Sequence, residues 1–367
     1  MRADGILGSG YAARDVNLPS DSAGPSRAVL LHRVSDAGCS DAGCSADARA
    51  SRVPLLALHG WSDYMFDRDL FEHLAAWGFD VWALDLRRHG RAIDDPHDAT
   101  RIDHLNRFDE EIGAALAQIR ESRSLNGSER GSDVPEHAPV ILAHSMGGLI
   151  AALYAQRHPG AVRALALNAP WLEMHGGALV RRIVGPVIAC AGRILRSHPV
   201  LPAGPRHYAR AAHREFGGEH DYDLTLKPPG GHPMPAETLA AVLDGQRRLA
   251  RNGPLTLPIL VMCSDHSRFG LRFHDSMRRA DTVLDVRTIR ARARTLGPSV
   301  QIVQIPGARH DVFLSRPDAR AHALEILHRW CETEGLLRPT MRRDAAGRRS
   351  SVNGEGTGGA NGSERTA

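Results

Sequence analysis

From residue 53 onward, short apolar runs alternate with longer amphipathic stretches, and no other feature of the sequence restricts the fold as strongly. The runs are VPLLAL (53–58), VWALDL (81–86), PVILAH (139–144), VRALAL (162–167), PILVMC (258–263) and VQIVQI (300–305), preceded by RAVLLHRV (27–34). They are rich in Val, Ile and Leu and bounded by Gly, Pro or Asp, the pattern of strands buried on both faces. Between them the apolar spacing changes to three and four. Phe108, Ile112, Leu116 and Ile119 mark a helix over about 103–120, and further helices are expected after Gly147 and over 317–333. Strand and helix in alternation imply an α/β fold, a mostly parallel sheet flanked by helices on both faces.

The alternation stops between about 171 and 250, so the expected division is a first core part (1–170), an inserted cap (171–250), a second core part (251–337) and a disordered basic tail (338–367). A shorter polar insertion covers 121–138. The tandem SDAGCSDAGC (35–44) is made of turn-forming residues and reads as a surface loop. Its pair Cys39 and Cys44 lacks the second Cys pair that a zinc site of this kind would use.

Composition excludes several function classes. The chain has 367 residues with 46 basic and 42 acidic side chains, and all but one of the basic residues are Arg, the exception being Lys227. The net charge is +4, of which the tail holds +3 through six Arg against three acids, so the body carries +1. That is a poor electrostatic footprint for nucleic acid, and no nucleic-acid partner is expected. The Arg bias fits GC-rich coding, since Arg has GC-rich codons and Lys does not. No run approaches the 18 apolar residues of a membrane span, and MRADGILGSG has no secretory apolar core. Five scattered cysteines do not make a disulfide framework. A cytoplasmic location is the expectation, and the oligomeric state is left open.

The chemistry is concentrated in PVILAHSMGGLIAALYAQ. Small residues two before and two after Ser145 permit the tight strand-to-helix turn that lifts a nucleophilic hydroxyl above a sheet, with Ala143 standing where G-x-S-x-G has its first Gly. The helix N-terminus behind Ser145 suits a developing oxyanion. A serine needs a base and the base an orienting acid, in the chain order Ser, acid, His. His310 follows the last strand in PGARHD and is the base candidate. Two acids satisfy the order: Asp265, directly after PILVMC, and Asp281 in ADTVLDV, which is favoured, leaving Asp265 to cap its loop. The backbone N–H groups of Trp61 and Met146 are the oxyanion-hole candidates. Arg87, Arg88 and Arg91 in LDLRRHGRA are expected to brace loops.

The pieces HGWSDY, ALDLRRHGRA, LAHSMGG, LNAP, ADTVLDV and GARHDVF together resemble the α/β-hydrolase superfamily, and within it the serine aminopeptidase S33-type branch that includes monoacylglycerol lipases and lysophospholipases. The resemblance covers about 27–335 and departs at Ala143, at Ala92, and in extra residues between Cys263 and Asp281. It implies an α/β-hydrolase fold with a helical cap after the sixth strand. It also implies Asp281 as the acid, Trp61 and Met146 as the hole donors, no cofactor, and hydrolysis of carboxylic esters through an acyl-enzyme on Ser145. The substrate would be a small or lipid-like ester. Within the cap, the apolar run 183–192 would suit an acyl pocket, a lipid surface or packing on the core, the last being favoured.

Two other readings compete. An aminopeptidase would need cap carboxylates for a free amine, for which Glu215, Glu219, Asp221 and Asp223 are available. A silent hydrolase fold used for binding would normally have lost one of the three catalytic residues. No G-x-G-x-x-G after a strand, Walker sequence or H-E-x-x-H is present, so neither a cofactor nor a metal is expected.

Overall fold

The computed structural model describes residues 1–34, 52–124, 138–174, 186–188 and 190–337. The SDAGC repeat, most of the 121–138 insertion, positions 183–185 and 189 of the 183–192 run and the tail from 338 lie outside the described residues.

The strands are β1 (Arg2–Ala3), β2 (Tyr11–Asp21), β3 (Gly24–Arg33), β4 (Val53–Leu58), β5 (Phe79–Asp85), β6 (Val140–His144), β7 (Ala164–Asn168), β8 (Pro199–Leu201), β9 (Met234–Pro235), β10 (Ile259–Ser264) and β11 (Val300–Ile305). Among the described residues, nine of them make one sheet in the order β1-β2-β3-β5-β4-β6-β7-β10-β11. The pairs β5–β4, β4–β6, β6–β7, β7–β10 and β10–β11 are parallel. The antiparallel part is the N-terminal edge, where β1, β2 and β3 precede β5. Strand β2 is not among the runs picked from the sequence, because its burial pattern is only half apolar on one edge.

The helices are α1 (Arg68–Ala76), α2 (Phe108–Ser124), α3 (Met146–Arg157), α4 (His207–Ala212), α5 (Ala236–Arg251), α6 (Val286–Ala293) and α7 (Pro317–Thr333). Two-residue alternation along the strands divides the core into two layers. Leu55 and Ala57 of β4 face Phe71 and Leu74 of α1 and Leu327 and Trp330 of α7. Leu56 and Leu58 face the other way, onto a layer containing Ile112 and Leu116 of α2, Ile150 and Leu153 of α3, and Ile289 of α6. The inner parallel strands β4, β6, β7 and β10 are therefore apolar along most of their length, which is why their runs could be read directly. Edge strand β11 is instead interrupted by Gln301 and Gln304.

The segment between β7 and β10 carries the small pair β8–β9 and helices α4 and α5. Its last helix belongs to the core layer as well, since Val242 and Leu249 of α5 are buried with α3. A methyl group on Gly245 would lie 2.5 Å from Leu105 Cδ1 and 3.1 Å from Leu153 Cδ1, so α5 packs there by close backbone approach. Of the run 183–192, described Val187 is exposed, while Ile188 packs against the Met234, Leu239 and Leu243 cluster.

Candidate active site

The parallel strands β6, β7, β10 and β11 end on one edge of the sheet, and the loops after them converge there. Ser145 follows β6 directly and stands at the N-cap of α3 with φ 51° and ψ −116°. A non-glycine residue held there stores roughly 1–3 kcal/mol of backbone strain, supported by the surrounding structure. The Ser145 N–H donates to Asn168 O at 2.9 Å, and Ser145 O accepts from Trp171 N at 2.9 Å. Gly147 is needed for close approach, because a methyl there would lie 2.3 Å from His59 O. Ala143 needs no such freedom: it is buried in a regular strand and has no positive φ. Replacement of the usual Gly is thus sterically neutral.

Ser145 Oγ donates to His310 Nε2 at 3.0 Å, and His310 Nδ1 donates to Asp281 Oδ2 at 2.9 Å. The Asp281 carboxylate is fully buried, and its other oxygen accepts from Val283 N at 2.7 Å and Leu284 N at 2.8 Å. Backbone bonds between His266, Arg268 and Asp281 lash this loop to the end of β10. Asp265 lies elsewhere. It accepts from Gly307 N at 3.0 Å and pairs with His266, so it ties the ends of β10 and β11 together.

Asn168, at the end of β7, was overlooked in the sequence apart from its place in LNAP. Its side chain donates to Asp311 Oδ1 at 2.7 Å and accepts from Val312 N at 3.1 Å, which braces the His310 loop. The turn carrying Trp61 is pinned by His59, whose Nδ1 donates to Gly60 O at 2.7 Å and whose Nε2 accepts from Leu86 N at 3.0 Å. Burial lowers the His59 pKa, in keeping with the neutral ring these bonds require. Gly60 lies against the nucleophile, since a methyl on it would be 3.0 Å from Ser145 Cβ. Met146 is the first residue of α3, so its N–H has no intrahelical acceptor. Arg87 binds Glu110 and Glu111, Arg88 binds Asp21, and Arg91 binds Asp4 and Asp85, all bracing contacts.

The chain's single lysine is also at this edge. Lys227 comes from the inserted segment, and its Nζ lies 2.7 Å from Asp63 Oδ1 in the HGWSDY turn. Residues on either side of Asp63 are fastened to the same segment, Ser62 Oγ to His232 at 2.8 Å and Tyr64 OH to Asp223 N at 2.7 Å. Burial favours a neutral Asp63, but the Lys227 ammonium and His144 hold its carboxyl far below the usual range. Asp311 is lowered in the same way against burial, by His144 and Lys227. The His144 ring lies beside His310, with centroids 4.9 Å apart, and reaches this buried group, with Nδ1 3.6 Å from Asp63 and 3.9 Å from Asp311. Isolated charged residues in a polar loop carry no periodic signal, so neither Asp63 nor Lys227 could be selected from the sequence.

Ser145 and His310 open into a cavity of about 370 Å³. One part of its wall is apolar, with Trp171, Met174, Leu201, Met234, Val283 and Leu284; the other holds Asp63, His144, Tyr208, Tyr222 and Lys227. None of the four acids proposed for an amine lines it. Glu219 instead pairs with buried Arg309 at 2.6 Å, and Asp223 accepts from Thr225. No cluster of three or more His, Cys, Asp or Glu able to hold a metal occurs among the described residues. No helix among them is long and apolar enough to cross a membrane.

Comparison with known proteins places this geometry. A family model described as serine aminopeptidase, S33, matches residues 49–316. Lysophospholipase L2 of Escherichia coli K12 is 43% identical over 105 residues, a stretch covering 28% of this chain and 26% of that protein. The match thus spans about a quarter of that relative. The monoacylglycerol lipase of Mycolicibacterium smegmatis is 29% identical over 268 residues, 71% of this chain and 82% of that one. Among solved structures, a soluble variant of the Saccharomyces cerevisiae monoglyceride lipase, bound to a substrate analogue, superposes with a TM-score of 0.58 at 13% identity, covering 88% of this chain and 97% of that one. The Paleococcus ferrophilus monoacylglycerol lipase gives 0.56 at 14% identity, covering 88% and 99%. At such identities the structural likeness is one of fold, the α/β-hydrolase fold.

Proposed function

The chain belongs to the serine aminopeptidase S33 family, and from that premise we propose that it is a serine hydrolase cleaving carboxylic esters with an apolar acyl chain. The observation that carries this reading is the unbroken hydrogen-bond chain Asp281–His310–Ser145 at the wall of a largely apolar cavity. The sequence relatives, a lysophospholipase and a monoacylglycerol lipase by name, support the same substrate class.

In this mechanism His310 Nε2 takes the proton of Ser145 Oγ as the oxygen attacks the acyl carbon. Asp281 keeps Nδ1 protonated and stabilises the imidazolium. The N–H groups of Trp61 and Met146 hold the oxyanion, each such donor contributing a factor of roughly 10²–10³ to kcat. Collapse breaks the ester C–O bond, and the leaving alcohol takes its proton from His310. Water, deprotonated by the same imidazole, then hydrolyses the acyl-enzyme and returns Ser145 to its starting state. The described residues between β7 and β10, among them Trp171, Leu201, Tyr208 and Met234, act as a cap that shapes the substrate cavity. Free Cys190, Cys263 and Cys331 suit a reducing compartment such as the cytoplasm.

The test is reaction of the purified protein with a fluorophosphonate and with p-nitrophenyl esters of increasing chain length, beside amino-acid anilides. Labelling at Ser145 with ester turnover is expected, and both should vanish in Ser145→Ala. Turnover of anilides alone would make the protein an aminopeptidase, and an unlabelled Ser145 would make it a binding protein.

A further inference from the structure

The turn that follows β4 carries the Trp61 N–H, yet the sheet does not hold it. Pairing of β4 ends at Leu58, and among the described residues no backbone–backbone hydrogen bond involves Trp61, Ser62 or Asp63. Ser62 also stands at φ 53°, a left-handed conformation that a non-glycine residue keeps only where its surroundings over-determine it.

Those surroundings come from the inserted segment. Three consecutive side chains of the turn are fastened to residues 223–232. Ser62 Oγ accepts from His232 N and pairs with His232 Nδ1, both at 2.8 Å. The Asp63 carboxylate meets Lys227 Nζ at 2.7 Å, and Tyr64 OH accepts from Asp223 N at 2.7 Å. Gly231 fits against the Trp61 ring, since a methyl on it would lie 3.0 Å from Cζ3. On its other side the turn touches the nucleophile through Gly60.

Of these three anchors the Asp63–Lys227 contact joins two full charges, and it is sealed. Lys227 is 6% exposed, and its Nζ lies 5.0 Å from the Phe66 ring centre, 5.3 Å from Tyr208 and 5.1 Å from Tyr222. Phe66 continues the turn and the two tyrosines belong to the inserted segment, so the rings close over the same seam. Nζ is an ion-pair partner of Asp63 without an aligned hydrogen bond, as suits a compact ammonium in a ring cage. Shut off in this way, the ammonium acts on the turn and not on a substrate. Removing either charge would strand the other in a buried site.

We propose that Lys227 and Asp63 are positioning residues for the oxyanion hole, their ion pair setting the place of the Trp61 N–H. The inserted segment then governs transition-state stabilisation as well as the shape of the cavity. The proposal rests on the esterase reading above.

Its test compares the full chain as wild type, Lys227→Met, Asp63→Asn and the double variant, which strands no charge. Fluorophosphonate titration counts competent Ser145 sites, so kcat/KM for p-nitrophenyl octanoate is read per site and misfolded protein drops out. Octylboronic acid gives the second readout. Ser145 Oγ bonds to its boron, the hydroxyl proton passes to His310, and a boronate oxygen takes the oxyanion position. A loss of stability alone would leave both per-site quantities unchanged. The expected result is a fall of about tenfold or more in per-site kcat/KM in each variant, with the boronate Ki rising by a similar factor. The double variant should be no worse than the poorer single one, because the two residues act as one unit. Per-site kcat/KM within about threefold of the wild type, a rate loss without weaker boronate binding, or losses that multiply in the double variant would each overturn the proposal. Any one variant that folds decides the first two. A wild type that labels at Ser145 but turns over no ester would overturn the esterase reading alone, and the labelling rates of the variants then decide the clamp. An unlabelled Ser145 would overturn both.

Discussion

Replacing Asp281 by Asn separates the two acids that compete for the catalytic role. One Asp281 oxygen accepts from Val283 N and Leu284 N, and the other accepts from His310 Nδ1. An Asn keeps the first pair only by turning its oxygen towards those two N–H groups. Its NH2 then faces His310 Nδ1 and donates to it, so the imidazole must carry its proton on Nε2 instead. A protonated Nε2 cannot accept the Ser145 proton, and the Oγ remains a neutral hydroxyl. The expected loss is about 10⁴ in kcat, or roughly 5.5 kcal/mol at 1.36 kcal/mol per decade. Residual turnover would come from the oxyanion hole and binding, so KM should move little. Asp265→Asn keeps an oxygen that can accept from Gly307 N and loses only a charge on a half-exposed loop, so activity should stay within a few-fold of the wild type. The assay is initial-rate hydrolysis of a p-nitrophenyl ester by both variants, with circular dichroism confirming that each is folded. Inactivation by Asp265→Asn with Asp281→Asn near wild type would refute the assignment and the tautomer argument beneath it.

Other consequences concern the frame around the site. Arg87→Met leaves fully buried Glu111 without its partner and should destabilise the fold by about 3–5 kcal/mol at pH 8. Burial already raises the Glu111 pKa against the pull of Arg87, and without the guanidinium it rises further. The folded state then keeps a proton the unfolded chain releases, so the deficit should shrink as pH falls towards 5. Urea midpoints at the two pH values read this, and a pH-independent deficit would argue against it. Gly147→Ala should cost about 1–3 kcal/mol and slow fluorophosphonate labelling, because its methyl meets backbone at His59 O; unchanged melting and labelling would show that the turn can relax. Burial pushes the Cys263 and Cys331 thiols up to about 12, so Ellman's reagent at pH 8 should spare both until urea unfolds the protein.

How much of this was visible in the sequence depended on whether a residue's role is local. The inner parallel strands were legible because burial on both faces makes their runs almost wholly apolar, and α2 because Phe108, Ile112, Leu116 and Ile119 all turn to one layer. Ser145 was legible because its backbone strain demands small neighbours, and His310 because the loop after the last strand has few places to go. Strand β2 escaped, since a strand covered by β1 over only two residues, with Arg14, Asp15 and Asn17 in its middle, lacks that signature. The polar wall of the cavity escaped for another reason. Asp63, His144, Tyr208 and Lys227 act through contacts that join the HGWSDY turn, the nucleophile turn and the inserted segment. No spacing along the chain encodes such an encounter; only the folded sheet edge brings it about.

The solitary ε-amine has a practical consequence. Wherever the chain is folded as described, an acylating reagent that seeks amines finds Lys227 shielded by Phe66, Tyr208 and Tyr222. It can react there only when the rings around the ammonium part. Acylation during such an opening leaves a permanent mass increment at a known residue, told apart by its peptide from the increment on the exposed Met1 α-amine. Under conditions where closing outruns acylation, the labelling rate divided by that of a free lysine measures how often Lys227 stands exposed. The molecule therefore carries its own probe of that exposure, without an engineered tag.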